Sequence, residues 1–306
     1  MCGIFGWIKP TATTETNLNL VNIFREGLLQ SQERGEDATG FYTPGTGVVK
    51  DAINADEFVE LIPETIASER FVLGHVRMAS KKYGSENIAN PKNAQPFESD
   101  NWVLVHNGSI DTPKLKNYPY TSDVDSEVIL SYAEKNSFKN AMASIDGAAA
   151  VVLYSKRDRK IYFWTNGERP LVIAYYKGII FFASTKKILR KALKYTHTFS
   201  IFPDISFATV YECEPIVFDL KKNRFARHEL IEKKVKPKPR TSVTILNQDV
   251  LTREISNTPV KIEYRAFQPI TVHSFRTGCT SNPPSSTPKV IGYCPGNGGN
   301  GQVFKK

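Results

Sequence analysis

Cys2-Gly3-Ile4-Phe5-Gly6-Trp7-Ile8 is a short, almost wholly apolar run, and its length and composition predict a buried strand. Residues 17–32 follow it with apolar side chains at helical spacing, at Leu20, Val21, Phe24 and Leu28. Gly35 is available to end that helix. A strand that leads into an amphipathic helix predicts a sheet with a helical layer on one face.

The same alternation of strands and helices continues along the chain. Residues 71–78 and 102–106 are predicted as buried strands. A helix after Ser122, its predicted N-cap, has one apolar face formed by Val124, Val128, Ile129 and Tyr132. Between residues 147 and 227, short turns separate the β-rich runs AAAVVLY, KIYFWT, PLVIAYY, GIIFFAS, FATVYEC and PIVFDL, with one helix predicted at 186–193. Hairpin-linked strands with covering helices predict an α+β layered domain built on antiparallel sheets.

Composition restricts the class of protein. The 306 residues are 41% hydrophobic and 23% charged, which is typical of a globular chain. No stretch approaches the roughly 18 apolar residues of a membrane span, and the apolar start is too short and lacks the basic segment of a signal peptide. The four cysteines form no CxxC pair, which argues against a disulfide scaffold or a zinc ribbon: Cys2, Cys213, Cys279 and Cys294. We expect a cytoplasmic protein without a metal site or membrane association.

The net charge of +9 is confined to the C-terminal part. From Lys233 onward there are twelve Lys and Arg residues against three acidic ones, whereas residues 1–232 are balanced. Lysines and prolines alternate in Lys233–Arg240, KKVKPKPR, which is typical of an extended linker. We therefore predict a domain at 2–235 and a flexible, partly disordered, basic Pro/Gly/Ser-rich extension at 236–306.

Cys2 is the first candidate catalytic residue. Initiator methionine is generally removed before a small residue, and removal here would place a thiol and a free α-amine on Cys2. An α-amine with a pKa near 7.7 to 8.0 is partly unprotonated at neutral pH and can accept the thiol proton. Taken alone, a cysteine in a buried strand is more often a small core residue.

Further motifs follow Cys2 in a fixed order. They are Cys2-Gly3-Ile4-Phe5-Gly6, Arg34-Gly35-Glu36-Asp37-Ala38-Thr39-Gly40, Gly74-His75-Val76-Arg77-Met78-Ala79-Ser80, Asn93-Ala94-Gln95-Pro96-Phe97, Val105-His106-Asn107-Gly108 and Ser122-Asp123-Val124-Asp125-Ser126-Glu127-Val128. This ordered set resembles class II glutamine amidotransferase domains, above all the glutaminase domain of glucosamine-6-phosphate synthase, over about residues 2–230. The resemblance implies a four-layer αββα sandwich of the N-terminal nucleophile hydrolase type.

The resemblance also implies a role for each matched residue. Cys2 corresponds to the nucleophile, and the Asn107 side-chain amide and the Gly108 backbone N–H correspond to the oxyanion hole. Arg77 corresponds to the arginine that binds the substrate α-carboxylate through a planar pair of hydrogen bonds, and Asp125 to the carboxylate that binds the α-ammonium group. Ser80 keeps the hydroxyl of the family's Thr and joins this substrate-binding set. The half-reaction needs no cofactor.

Several positions depart from the family pattern or have ordinary structural interpretations. Met78 replaces a Trp, and Gln95 and Phe97 replace two histidines, which predicts an altered pocket rim. The string NAQP also resembles asparagine synthetase glutaminase domains. The 34–40 motif is interpreted as a structural loop with tight turns and a local Arg34–Asp37 pair, and both His75 and His106 as packed histidines bonded to backbone. Arg77 could be an ordinary strand arginine and Asp125 an acidic residue at a helix N-terminus.

These observations predict a glutamine amidotransferase subunit that hydrolyses L-glutamine through a Cys2 thioester. No P-loop and no SGGxDS-like loop occurs in the chain, so ammonia is expected to pass to an acceptor on a separate protein. The basic extension could dock that protein, permit a weak, salt-sensitive contact with nucleic acid, or be a solvated tail. The alternatives are an N-terminal nucleophile amidohydrolase for another amide and a non-catalytic binding protein that works through its tail.

Overall fold

The computed structural model of the chain describes residues 1–11, 16–79, 88–194 and 205–231. Thirteen strands lie within these residues: β1 (Gly3–Ile8), β2 (Ala38–Thr43), β3 (Gly47–Asp51), β4 (Phe71–Arg77), β5 (Phe97–Glu98), β6 (Trp102–Ile110), β7 (Gly147–Ser155), β8 (Lys160–Thr165), β9 (Val172–Tyr176), β10 (Ile179–Ala183), β11 (Ser206–Thr209), β12 (Ile216–Asp219) and β13 (Arg224–Arg227). The α-helices in the same residues are α1 (Leu20–Ser31), α2 (Ala55–Phe58), α3 (Ser126–Lys135), α4 (Phe138–Ala143) and α5 (Lys186–Lys194).

The strands form two antiparallel sheets. The first has the order β11-β9-β10-β1-β4-β2-β3, and the second has the order β13-β12-β8-β7-β6-β5. β1 lies between β10 and β4, with Gly3 opposite Val76 and Phe5 opposite Ala183. β6 is paired with β7 along its whole length but with β5 only at Val103 and Leu104. One edge of β6 is therefore open beyond Leu104.

Three apolar clusters show that the sheets and helices form four layers. The outer face of the first sheet packs on α1, α2 and α5 through side chains such as Phe5, Phe24 and Leu189. A second cluster fills the space between the sheets, and a third packs α3 and α4 on the outer face of the second sheet. The expected four-layer αββα sandwich is confirmed, and both sheets have one face toward the central layer.

Most of the predicted elements are present, with shifted ends. Helix α1 begins after Asn19, whose side chain accepts a hydrogen bond from the N–H of Asn22 at 3.0 Å. The prediction of Ser122 as a helix N-cap was wrong. Its hydroxyl donates to Oε2 of Glu127 at 2.6 Å, and Asp125 occupies the cap position of α3. Ser122 therefore binds the buried Glu127 carboxylate and does not cap α3.

Some predictions fall outside the described residues. They are the role of Ser80 and the basic, partly disordered extension at 236–306. The domain boundary near residue 235 also lies there and stays a prediction.

Candidate active site

Strand alternation directs three of the predicted site residues into the layer between the sheets. Ile4 and Ile8 of β1 belong to the central apolar cluster, so Cys2, two residues before Ile4, lies on the same face. In β4, Phe71 and Leu73 belong to that cluster, and Arg77 shares their parity.

In β6, Val103 and Val105 belong to the central cluster, and Asn107 shares their parity. Two strands of one sheet and one strand of the other therefore present Cys2, Arg77 and Asn107 to the same layer.

Cys2 is held at the start of β1. Its side chain is buried, with Sγ 3.9 Å from the carbonyl oxygen of Met78. Nε of Arg34 donates to the backbone carbonyl of Cys2 at 2.7 Å. Burial raises the pKa of the Cys2 thiol above its usual value, and the positive charge of Arg77 acts in the opposite direction. A buried thiol with a raised pKa is protonated at neutral pH, so it requires a base to become a nucleophile.

The N-terminal α-amine belongs to Met1, the residue before Cys2. The α-ammonium group of Met1 contacts Sδ of Met78. Burial lowers the pKa of this ammonium group, and the nearby guanidinium groups of Arg34 and Arg169 lower it further. The Met1 α-ammonium group therefore loses its proton more readily than one in water.

Arg77 is 4% exposed and ends β4. Burial lowers the pKa of its guanidinium group, whereas the charges of Cys2, Asp37 and Asp125 raise it, which places these groups around the arginine. Asp37 fixes the backbone on both sides of Met78, since its N–H donates to the Arg77 carbonyl at 3.0 Å and its Oδ2 accepts from the Ala79 N–H at 2.6 Å. Asp37 thus sets the direction in which the chain leaves β4.

The contacts of the 34–40 motif correct its predicted role. Arg34 donates to Cys2 and Asp37 accepts from Ala79, and no ion pair between Arg34 and Asp37 occurs in the described part of the chain. Gly35 closes the 3-10 turn at 32–34, as its N–H donates to the Gln32 carbonyl at 3.0 Å, whereas Gly40 lies inside β2. Both glycines also allow close approach. A Cβ on Gly35 would lie 2.5 Å from the Arg77 backbone, and one on Gly40 would lie 2.3 Å from the Gln95 carbonyl oxygen.

Asn107 is a buried amide whose polar atoms have no partner. It is fully buried, and neither Oδ1 nor Nδ2 forms a hydrogen bond with any described residue. A buried amide without partners costs free energy, so few such groups occur in folded proteins. Asn107 lies inside β6 and not after it as predicted, because β6 continues to Ile110.

Gly108 follows with φ +154°, and a Cβ there would lie 1.9 Å from the Ala148 carbonyl oxygen. Alternate residues of a strand present their N–H groups to the same edge. Asp111 donates to Asp146 on the β7 side, whereas His106 and Ile110 donate to side chains on the other side, Gln95 and Asp125. By the same alternation, the Gly108 N–H faces the open edge of β6.

Asp125 stands at the end of that edge. Its Oδ2 accepts from the Ile110 N–H at 2.8 Å, and its Oδ1 lies 3.5 Å from the Ser126 hydroxyl. The carboxylate is therefore fixed to the end of the strand that carries Asn107 and Gly108. Both Cys2 and Arg77 lie within range of its charge.

The two histidines connect the sheets beneath these groups. Nε2 of His75 lies 3.0 Å from the His106 carbonyl oxygen, and Nδ1 of His106 lies 2.9 Å from the Ser126 hydroxyl. Burial lowers the pKa of His75 to about 3, so its ring is neutral and Nε2 is the donor to that carbonyl. The predicted backbone contact is confirmed for His75, and Nδ1 of His106 contacts the Ser126 hydroxyl.

The predicted rim needs one correction. Met78 is exposed at 52%, but Gln95 and Phe97 are buried at 3% and 2%. They lie under the site and not at its rim, because the segment at 93–97 packs inward between β6 and Lys50. Lys50 and Ser126 also support the site and were not predicted. The hydroxyl of Ser126 beside the apolar face of α3 was an available signal, whereas Lys50 left none.

The comparisons with known proteins agree with this geometry. A family described as "Glutamine amidotransferase domain" matches residues 84–191. The glutamine--fructose-6-phosphate aminotransferase [isomerizing] of Listeria innocua is 31% identical over 192 residues, which are 56% of this chain and 30% of that protein. The Pyrococcus horikoshii protein of the same name is 29% identical over 205 residues, 60% of this chain and 32% of that protein. The structure of glutamine phosphoribosylpyrophosphate amidotransferase from B. subtilis superimposes with a TM-score of 0.56 at 17% identity, over 76% of this chain and 50% of that one.

The two-sheet sandwich, with Cys2 at the start of a central strand, is an N-terminal nucleophile hydrolase fold. Within this fold, the chain is similar to class II glutamine amidotransferase domains, with the family match at residues 84–191. It spans about a third of the length of the curated relatives named above. In the described residues, no helix is long and apolar enough to cross a membrane, and no group of three or more His, Cys, Asp or Glu side chains is placed to hold a metal ion.

Proposed function

We propose that this domain hydrolyses the γ-amide of L-glutamine, with Cys2 as the nucleophile once Met1 has been removed. The observation that carries the proposal is the buried Asn107 amide without partners, next to a Gly108 N–H that faces the open edge of β6. Two donors that the fold leaves unused are what an oxyanion that develops on an amide oxygen requires.

The head group of an amino acid fits the charges around Cys2. Arg77 supplies a fork of N–H donors for an α-carboxylate, and Asp125 supplies a carboxylate for an α-ammonium group. A free amino acid has both groups on one carbon atom. A glutamine held by them extends its side-chain amide toward the thiol and the β6 edge.

The chemistry proceeds in two halves. The Cys2 α-amine takes the thiol proton, and the thiolate adds to the amide carbon, whose oxygen accepts hydrogen bonds from Asn107 and Gly108. The C–N bond then breaks, the amine returns its proton to the leaving nitrogen, and ammonia departs from a γ-glutamyl thioester. A water molecule, deprotonated by the same amine, adds to the thioester and releases glutamate and the thiol. Glutamine and water thus become glutamate and ammonia.

The experiment is steady-state release of glutamate and ammonia from L-glutamine by the purified chain. Cys2→Ala and a variant with one residue inserted before Cys2 are the controls, because the first lacks the thiol and the second lacks the α-amine at Cys2. We expect equal release of both products by the wild-type protein and none by either control. Full activity of the inserted variant would refute the α-amine mechanism.

Substrate profiling tests the head-group part of the proposal. Amides without the α-carboxylate offer Arg77 no acceptor for its fork of donors, so we expect kcat/KM to fall for them by about 100-fold, in line with a lost charge-assisted bidentate pair. A preference for such amides would favour another amide substrate. A chain that never forms a covalent intermediate would instead favour a binding role.

The last part of the proposal is that the ammonia is used by an acceptor on a separate protein. It is supported by the name of the relatives, glutamine--fructose-6-phosphate aminotransferase, which pairs glutamine with an acceptor of its amino group. With amide-labelled ¹⁵N-glutamine in extract of the source cells, we expect the label in an organic product when wild-type chain is added and not when Cys2→Ala is added. Label that accumulates only as free ammonium would contradict this part.

A further inference from the structure

Gln95 is a buried side chain that the proposed chemistry leaves without a role. Its Oε1 accepts from the backbone N–H of His106 at 2.7 Å, and its Nε2 donates to the backbone carbonyl of the same residue at 3.1 Å. Nε2 also lies 3.2 Å from the Ser126 hydroxyl. One side-chain amide therefore binds both backbone groups of the residue that precedes Asn107.

This arrangement extends the sheet by one step. β5 pairs with β6 only at Val103 and Leu104, and the next backbone groups on that edge belong to His106. Gln95 lies two residues before β5 and supplies one donor and one acceptor, as the next residue of a neighbouring strand would. The edge is thus held at His106 by Gln95 and at Ile110 by Asp125, and it is open at Gly108 between them.

The backbone of Gln95 is itself fixed from outside. Nζ of Lys50 donates to the carbonyl oxygens of Ala94 and Pro96 at 2.8 and 3.2 Å, on either side of Gln95. The Gln95 carbonyl oxygen lies against Gly40, where a Cβ would come within 2.3 Å of it. Gln95 therefore connects β2 and β3 of the first sheet to the oxyanion-hole strand of the second.

We infer that Gln95 is a positioning residue that holds β6 so that the Asn107 amide and the Gly108 N–H reach the oxyanion formed during glutamine hydrolysis. The inference rests on the proposed function. Gln95 touches neither substrate nor reacting atoms in this account and acts through His106. Because the oxyanion exists only after the thiolate has added, a misplaced hole weakens the transition state more than it weakens substrate binding.

Gln95→Met is the first test, because it keeps the length of the side chain and removes both hydrogen bonds to His106. We expect kcat for glutamine to fall by about 10- to 100-fold, less than the roughly 100- to 1,000-fold typical of losing a donor outright, with KM changed by less than about 3-fold. L-Glutamate γ-semialdehyde adds to the thiol and places its oxygen in the same hole, so its inhibition constant should rise in parallel with the fall in kcat. Binding of the product glutamate should be unchanged.

Gln32→Met is the matched control. The amide oxygen of Gln32 also accepts from a backbone N–H, that of Ala55 at 2.7 Å, at the start of α2. Gln32→Met removes a comparable hydrogen bond to backbone away from the site, so we expect its kcat to stay within about 2-fold of the wild type, far from the change predicted for a lost site contact.

Gln95→Glu keeps the inference testable if the Met variant does not fold. A protonated carboxyl retains one acceptor and one donor, whereas a carboxylate faces the His106 carbonyl with no donor. We expect its kcat relative to wild type to rise as the pH falls. A flat ratio near one, or a Gln95→Met variant whose kcat and aldehyde inhibition match the wild type, would overturn the inference alone. Wild-type protein without glutaminase activity would overturn the proposed function as well, so the two failures are distinguishable.

Discussion

Replacement of Gly108 by Ala tests the geometry of the open β6 edge. Gly108 has φ +154°, in a region of backbone conformation that L-residues rarely adopt. An alanine Cβ there would lie 1.9 Å from the Ala148 carbonyl oxygen and 2.8 Å from Nε2 of His106. Both neighbours are buried, so neither can move aside without disturbing β7 or the His106 ring.

The magnitude has two parts. Backbone strain at such a φ costs about 1–3 kcal/mol, and overpacking in a well-packed interior costs about 1–3 kcal/mol more. We therefore expect the free energy of unfolding to fall by about 2–6 kcal/mol. Any shift of residue 108 also moves its N–H, so kcat for glutamine should fall by roughly 100-fold or more, the typical effect of a lost oxyanion donor.

Gly47→Ala separates the two parts of the cost. Gly47 also has a positive φ, +76°, but a Cβ there meets nothing within 4 Å. Urea denaturation should show a loss of about 1–2 kcal/mol for Gly47→Ala, from backbone strain alone, with unchanged kcat. If Gly108→Ala loses no more stability than Gly47→Ala and keeps its kcat, the described contact with Ala148 and the role of this edge are both refuted.

Three further predictions follow from the buried polar groups. Asn107→Leu removes an amide without partners, so the free energy of unfolding should rise by about 1–3 kcal/mol while kcat falls roughly 100- to 1,000-fold. A variant that loses stability would show that Asn107 is a structural residue. His75 has a pKa of about 3 in the folded chain, below its usual value of 6.5, so protonation favours the unfolded state and stability should be lost as the pH falls from about 6.5 to 3. The unfolding free energy of His75→Gln should fall less steeply over that range, and equal slopes would refute the prediction. Arg77→Lys should raise KM for glutamine by about 10- to 100-fold because an ammonium group does not reproduce the bidentate fork, and an unchanged KM would exclude Arg77 from head-group binding.

The layered architecture follows from local patterns in the sequence. Apolar runs such as residues 71–78 predicted strands because their side chains fill two layers, and the spacing of Val21, Phe24 and Leu28 predicted α1 because one helix face packs on the first sheet. β2 and β3 were missed. Gly40 and Lys50 in these strands contact the distant segment at 94–96, and Thr39 donates to the Ile53 carbonyl. These contacts, and not local strand propensity, account for the residue types.

Parity along the strands was the unused signal for the site. Counting in twos from the apolar residues of β1, β4 and β6 directs Cys2, Arg77 and Asn107 to one face of each strand, and this count needs only the sequence. Which faces meet depends on the packing of the two sheets, which the strand pattern does not specify. This count does not find Asp125, because a hydrogen bond to Ile110 places it. It does not find Gln95 either, because the partner of Gln95 is the backbone of His106 and leaves no pattern in the sequence.

The most direct test of the account is the intact mass of the purified protein before and after treatment with the glutamine analogue 6-diazo-5-oxo-norleucine, with Cys2→Ala beside it. We expect the wild-type protein to lack Met1 and to gain a single adduct, and the Cys2→Ala protein to gain none. A correctly trimmed protein without an adduct, or an adduct that persists in Cys2→Ala, would contradict a glutamine-binding nucleophile at Cys2.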